Sequence, residues 1–216
     1  MKHRFLTLIS SLLLLTACSD SFLERAPEGN YVDVTYYTSD DALEQATAPL
    51  YNRAWFDLNS RAIVPLGSNR ANDNFSRWGA PEFTNFKVTA LSENLANAWT
   101  GFYSVITMAN AVISDVQTKC SNSVSERAKR TAIAEARLMR ACAYFYMVRL
   151  WGPVYHHRRQ RKVVANPMQP LHRERDVLEL VIRDLTYAVE NLPEVATAKG
   201  RVNAWGAKGM LAKVYR

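Results

Sequence analysis

Apolar residues fall into two patterns along this chain: one unbroken run near the start, then stripes at helical spacing. The run covers residues 5–15 and is well short of the roughly 20 residues that span a bilayer. Beyond it, Leu43, Ala46, Leu50 and Ala54 form an apolar stripe. Thr38 or Ser39 can cap that helix, and Asp40 and Asp41 suit its positive end. Pro49 lies inside the stripe and predicts a kink. Residues 57–94 show no period and are punctuated by Pro65, Gly67, Gly79 and Pro81, which predicts a long irregular segment. Such segments are often binding loops. Ser92 opens the next helix, in which Trp99, Phe102, Ile106, Asn110 and Ile113 share one face. Ser123 and Glu126 read as a capping box for another. Its stripe is Ala134, Leu138, Ala141, Phe145 and Val148, with Tyr144, Met147 and Trp151 on a second face, so it should be covered on two sides. Gly152 and Pro153 stop it. After a loop over 154–171, Leu178, Leu185, Val189 and Leu192 mark a helix ending at Pro193. Asn203 caps a last helix, with Ala204, Ala207, Leu211 and Val214 turned inward.

These elements predict an all-α fold. The last four helices form two antiparallel pairs, whose second members can be compared. Ala136, Met139, Ala141 and Tyr144 align with Ala207, Met210, Ala212 and Tyr215 at a constant offset of 71 residues. That offset is near two units of the roughly 34-residue tetratricopeptide period; a plain helical bundle is the alternative. The pattern stops at Tyr215 and Arg216 without a Gly, Asn or Pro signal or a polar capping element, which reads as a truncated chain.

The opening run has a further feature. Lys2 and Arg4 precede it, and it closes on Leu15-Thr16-Ala17-Cys18. A secretory signal ends at a small-residue cleavage site. Small residues directly before a cysteine, after a leucine, resemble the lipobox of bacterial lipoproteins. There the Cys18 thiol would be joined to diacylglycerol and the new amine acylated, chemistry that uses the thiolate as nucleophile. Residues 1–17 are then a lipoprotein signal peptide, and 18–216 one domain.

Composition narrows the partners. The formal charge of +7 suggests nucleic acid at first sight. Lys2 and Arg4 leave with the signal, however, and Arg158, Arg159, Arg161, Lys162 and Arg173 cluster without an acid among them. The remainder is balanced, so no basic face of the kind nucleic acid needs is expected. Cys120 and Cys142 do not make a disulfide framework, and Cys142, inside a helical stripe, reads as a small buried hydrophobe.

The order of motifs resembles the SusD/RagB family of outer-membrane glycan-binding lipoproteins. The residues that carry the resemblance begin with LTAC followed by Asp20, Phe22, Leu23 and Glu24. AWTGFYSVITMANAVI over 98–113 follows, and then AEARLMRACAYFYMVRLWGPV over 134–154. In the latter, Glu135, Arg140, Ala141, Tyr144, Phe145, Leu150, Gly152, Pro153 and Val154 fit the family pattern. VLELVIRDLTYAVENLP (177–193) and GRVNAWGAKGMLAKVY (200–215) complete it. The resemblance implies tetratricopeptide-like helix pairs with a long irregular ligand-binding region. It implies a surface-exposed, lipid-anchored outer-membrane protein that captures oligosaccharides without catalysis. A SusC-like TonB-dependent transporter would be its partner. Two departures stand out. Family members are generally more than twice as long, and the short apolar stretch usual after Gly152-Pro153-Val154 is replaced by the basic YHHRRQRK. The alternative function is that of a tetratricopeptide-type outer-membrane lipoprotein acting only as a protein–protein adaptor.

Sugar binding needs flat apolar faces for C–H groups and amide, carboxylate or guanidinium groups for hydroxyls. The segment SNRANDNFSRWGAPEF (68–83) has both: Phe75 and Trp78 as platforms, and Asn72, Asp73, Asn74 and Arg77 as polar partners. The resemblance places this region at the ligand site. Trp99, Trp151 and Trp205 lie in helical stripes and read as core. Glu126 and Glu135 read as a cap and a polar-face residue. No nucleophile–base pair, phosphate loop or metal-ligand cluster is visible, so neither catalysis nor a cofactor is expected. Adjacent His156 and His157 lack the spacing of a preorganised metal pair.

Overall fold

The computed structural model describes residues 37–52, 58–71, 73, 81–156 and 170–216. Contacts divide the chain into Met1–Tyr36 and Tyr37–Arg216, and every described residue belongs to the second unit. The signal peptide, Cys18 and the basic run after His156 lie outside the described residues.

The described unit is all-α. Its helices are α1 (Asp40–Thr47), the single turn α2 (Pro81–Thr84), α3 (Glu93–Lys119), α4 (Glu126–Trp151), α5 (Glu174–Asn191) and α6 (Ala204–Tyr215). Among the described residues the only β-type pairing is an isolated antiparallel bridge between Val154 and His172, which closes the neck of the 154–171 loop.

Helix α4 is the centre of the fold. It packs against α3 on one side and α5 on the other, while α1 also lies on it and α6 packs mainly on α5. The expected two-sided cover is present: Ala134, Leu138, Ala141, Phe145, Val148, Tyr144 and Met147 are all buried, while Trp151 at the helix end is only half-buried. The α3/α4 and α5/α6 pairs are the tetratricopeptide-like units. In α3 the stripe of Phe102, Ile106, Asn110 and Ile113 is buried as expected, with Trp99 half-buried at its start.

Several local expectations change. Pro49 does not kink α1. The helix stops at Thr47, and the chain tightens into a 3-10 turn over Ala48–Tyr51 that buries Leu50, because proline cannot donate the bond that would continue the α-ladder. Residues 57–94 are not wholly irregular. Leu58–Asn69 winds as a π-type helix with Pro65 inside it, and α2 follows further on. The cap of α4 is Ser125, not Ser123: its Oγ accepts from the Ala128 N–H at 3.1 Å. Asp40 takes over Ser125 in turn, accepting from its backbone N–H at 2.8 Å and its hydroxyl at 2.7 Å. Ser123 donates instead to the Thr38 carbonyl at 2.7 Å. The start of α1 is thereby sewn to the α3–α4 turn. In α5 the buried stripe is Val177, Leu180, Val181, Leu185 and Ala188; Leu178 and Val189 are only half-buried. In α6, capped by Asn203 as expected, Ala204 and Ala207 are buried while Leu211 and Val214 are half-buried. Trp205 is not core: it is 59% exposed, with the Lys208 ammonium 4.0 Å from its ring centroid.

Two buried polar nodes lock the helices together. Arg140 of α4 donates to Asp184 of α5 through Nε at 2.7 Å and Nη2 at 2.8 Å, and to Asn110 Oδ1 of α3 at 2.6 Å. One guanidinium thus joins three helices. In the second node, Arg201 donates to Glu135 Oε2 at 2.8 Å, to Thr47 Oγ1 at 2.7 Å and to the Glu44 carbonyl at 2.6 Å. Glu135 is buried, not a polar-face residue as its position on α4 suggested. Burial pushes its pKa up, against the opposing pull of the Thr47 hydroxyl, Arg201 and Tyr51.

Candidate functional site

Of the proposed sugar-binding residues, only Asp73 is described. It is exposed, and its backbone N–H donates to the Ser68 carbonyl at 3.3 Å. Asn72, Asn74, Phe75, Arg77 and Trp78 lie outside the described residues. The frame on which that segment is hung is visible. Before it, the Arg70 guanidinium lies 4.7 Å from the Phe86 ring centroid, so the chain on either side meets at this stack. After it, α2 is pinned to the start of α3: Glu82 accepts from the Ser92 hydroxyl at 3.0 Å and from the Asn94 amide at 3.3 Å. Desolvation works to raise the Glu82 pKa, but bonds from its own backbone N–H, Asn94 and Ser92 outweigh it and hold the group below its ordinary value. Ser92 therefore opens α3 as expected, but its hydroxyl ties α2 down and makes no cap bond. Phe83 is buried beneath this turn.

A second surface lies on the first turns of α3. Trp99 and Tyr103, one helical turn apart, have ring centroids 5.0 Å apart. Trp151, at the end of α4, meets Trp99 edge-on at 5.3 Å and Phe102 at 5.9 Å. The Tyr103 hydroxyl donates to the Tyr155 carbonyl at 3.0 Å, and burial pushes its pKa above the ordinary phenol value, so it stays a neutral donor. Trp99 and Tyr103, with Thr100, Ser104 and Thr107, line a shallow groove. Half-buried rings beside exposed hydroxyls can accept the C–H face of a sugar and bond its hydroxyls. The stripe predicts Trp99 as core; it is half-buried and lines this groove. Its place at the edge of the stripe, next to Thr100 and a turn from Tyr103, was the available signal.

The described residues hold no cluster of His, Cys, Asp and Glu able to bind a metal ion. His156 and His172 stack edge to face at 5.2 Å, and His172 Nδ1 accepts from the His156 backbone N–H at 3.2 Å. That nitrogen closes the loop neck. Cys142 is buried, with its thiol pushed up to about 12 by burial, and Cys120 is also a free thiol. The buried acids Glu135 and Asp184 are each bound to an arginine, an arrangement that holds helices rather than transferring protons. Among the described residues no helix is long and apolar enough to cross a membrane.

Comparison with known proteins gives concordant results. Residues 21–216 match the family SusD-like_3, described as "Starch-binding associating with outer membrane". A SusD-like protein of Bacteroides ovatus is 64% identical over 215 residues, covering 100% of this chain and 39% of that protein. SusD-like protein P25 of Formosa agariphila is 26% identical over 229 residues, covering 96% of this chain and 42% of that protein. A crystal structure with xylogluco-oligosaccharide is 63% identical, with a TM-score of 0.73 over 81% of this chain and 34% of that one. A SusD homolog from Bacteroides thetaiotaomicron has a TM-score of 0.67 over 85% of this chain and 37% of that one. At 19% identity this last likeness shows the fold alone. The chain spans about two fifths of the length of the curated relatives it matches.

Proposed function

The chain belongs to the SusD-like family, and on that premise we propose that it binds oligosaccharides at the cell surface and passes them to a SusC-like TonB-dependent transporter. Residues 18–216 form its helical domain, held on the outer membrane through lipid on Cys18. It performs no chemistry on the glycan. The observation that carries this reading is the relative that is 63% identical and was solved with xylogluco-oligosaccharide. Over the matched part, 34% of that chain, the two share most of their residues. The local chemistry agrees. The 68–83 segment supplies Trp78 as a platform with Asn72, Asp73, Asn74 and Arg77 as hydrogen-bonding partners, and the Trp99–Tyr103 groove adds rings beside hydroxyls.

Calorimetric titration of the full chain with a panel of soluble oligosaccharides, xylogluco- and malto-oligosaccharides included, tests the reading. Saturable binding to at least one with no released product is the expected result. Absence of binding across the panel would favour the pure adaptor, and product release would favour an enzyme. Co-purification of a TonB-dependent transporter from outer membranes checks the transfer step.

A further inference from the structure

Phe86 has a backbone φ of +56°. A bulky residue is a true outlier in that left-handed region. The bonds around it explain the geometry. The Asn85 N–H donates to the Pro81 carbonyl at 2.9 Å and the Lys87 N–H to the Glu82 carbonyl at 2.8 Å. This is the closing turn of α2, with Phe86 in the position after a helix end that glycine usually fills. Glycine would close the same turn without a Cβ to strain. Phe86 has no core packing to offset the strain, since it is 63% exposed. Its described ring partner is the Arg70 guanidinium at 4.7 Å. Strained residues held on a surface gather where the strain serves a function.

The position matters as well. The Arg70–Phe86 stack stands where the chain enters and leaves the segment carrying Asn72, Asp73, Asn74, Arg77 and Trp78. Asn85 and Lys87, both exposed, flank the ring in sequence. We infer that Phe86 and Arg70 form an additional platform for one sugar ring of the oligosaccharide: the ring face not covered by the guanidinium takes the C–H groups, and the guanidinium edge, with the Asn85 amide and the Lys87 ammonium, takes hydroxyls. The inference rests on the glycan-binding reading above and adds four contact residues to it, Arg70, Asn85, Phe86 and Lys87.

The strain makes the test sharp, because a binding role and a packing role predict opposite outcomes for one substitution. Phe86→Gly relieves the backbone and removes the ring. The full chain is titrated with xylogluco-oligosaccharide and melted in parallel. The expected result is a melting midpoint unchanged or raised by up to about 4 °C, with affinity lower by about fivefold to hundredfold, the range that stacking on one aromatic ring carries. Phe86→Tyr keeps the ring and should keep the affinity within about twofold of the parent. Undiminished affinity in Phe86→Gly overturns the inference, as does an affinity loss accompanied by loss of helical signal. Failure of the unsubstituted chain to bind would remove the glycan-binding reading itself, and this inference with it.

Discussion

Arg140 shows what single residues decide in this protein. Its guanidinium is almost fully buried and spends its donors on Asp184 and Asn110. Buried ion pairs add little net stability, because desolvation offsets their attraction, but removing one partner leaves a buried unpaired charge. Asp184→Ala should therefore lower stability by about 3 to 5 kcal/mol in chemical denaturation, while Arg140→Met combined with Asp184→Leu should recover most of that loss. A single variant no less stable than the parent would mean that Arg140 finds another partner. Asp40 gives a pH-dependent counterpart. Bonds from the Ser125 hydroxyl and then its backbone N–H hold the Asp40 carboxyl below its ordinary value of 3.8. A carboxyl depressed in the folded state contributes stability that is present above its unfolded pKa and is lost as the pH falls through the folded one. The stability advantage of the parent over Asp40→Asn should therefore shrink as the pH falls below the ordinary value of 3.8, and a constant difference would contradict the account. The long-range partners in these nodes were not legible in the sequence. Glu135 and Arg140 occupy ordinary α4 positions, and their partners Arg201 and Asp184 lie 66 and 44 residues away, with no local period to announce them.

At the level of elements, the apolar stripes of α3 and α4 told the truth because long two-sided helices repeat their signal many times. Single-residue punctuation was less reliable. Two serines compete to cap α4, and Asp40, distant in sequence, decides for Ser125. Trp205 follows the Asn203 cap and reads as part of the stripe, yet the inward face is set by Ala204 and Ala207, which leaves the indole outside. The long segment after α1 reads as irregular because its described helical pieces are short or carry Pro65. The same logic orders local stability. Helix α4 is packed between α3 and α5, whereas α6 buries only Ala204 and Ala207 and exposes Trp205 and Tyr215. Amides in residues 204–215 should exchange clearly faster than those in 130–148, because opening α6 exposes little buried surface. Equal protection in the two helices would show that α6 is held as firmly as the core.

For the whole molecule, the proposed function joins an anchor and a glycan-binding surface to the observed helical scaffold. The proposed anchor rests on Cys18 after Leu15-Thr16-Ala17. Cys18→Ala should leave the protein unprocessed or move it from the outer-membrane fraction to the soluble one, and a variant that remains lipidated and membrane-bound would disprove the role of Cys18. The scaffold was readable from helical periodicity and motif order, and the family match over 21–216 agrees with it. The proposed site was readable only as chemistry, since rings and amides in a segment between two helices suggest a class of ligand without its geometry. Glycan capture is the central claim, and Trp78 has the largest ring face in the 68–83 segment. Titration of the parent and Trp78→Ala with xylogluco-oligosaccharide, with helical content followed by circular dichroism, tests that claim most directly. The account predicts saturable binding by the parent and an affinity loss of about 1 to 3 kcal/mol in the variant, with unchanged helical content. Equal affinity in a fully folded Trp78→Ala protein, or no binding by the parent, would contradict it.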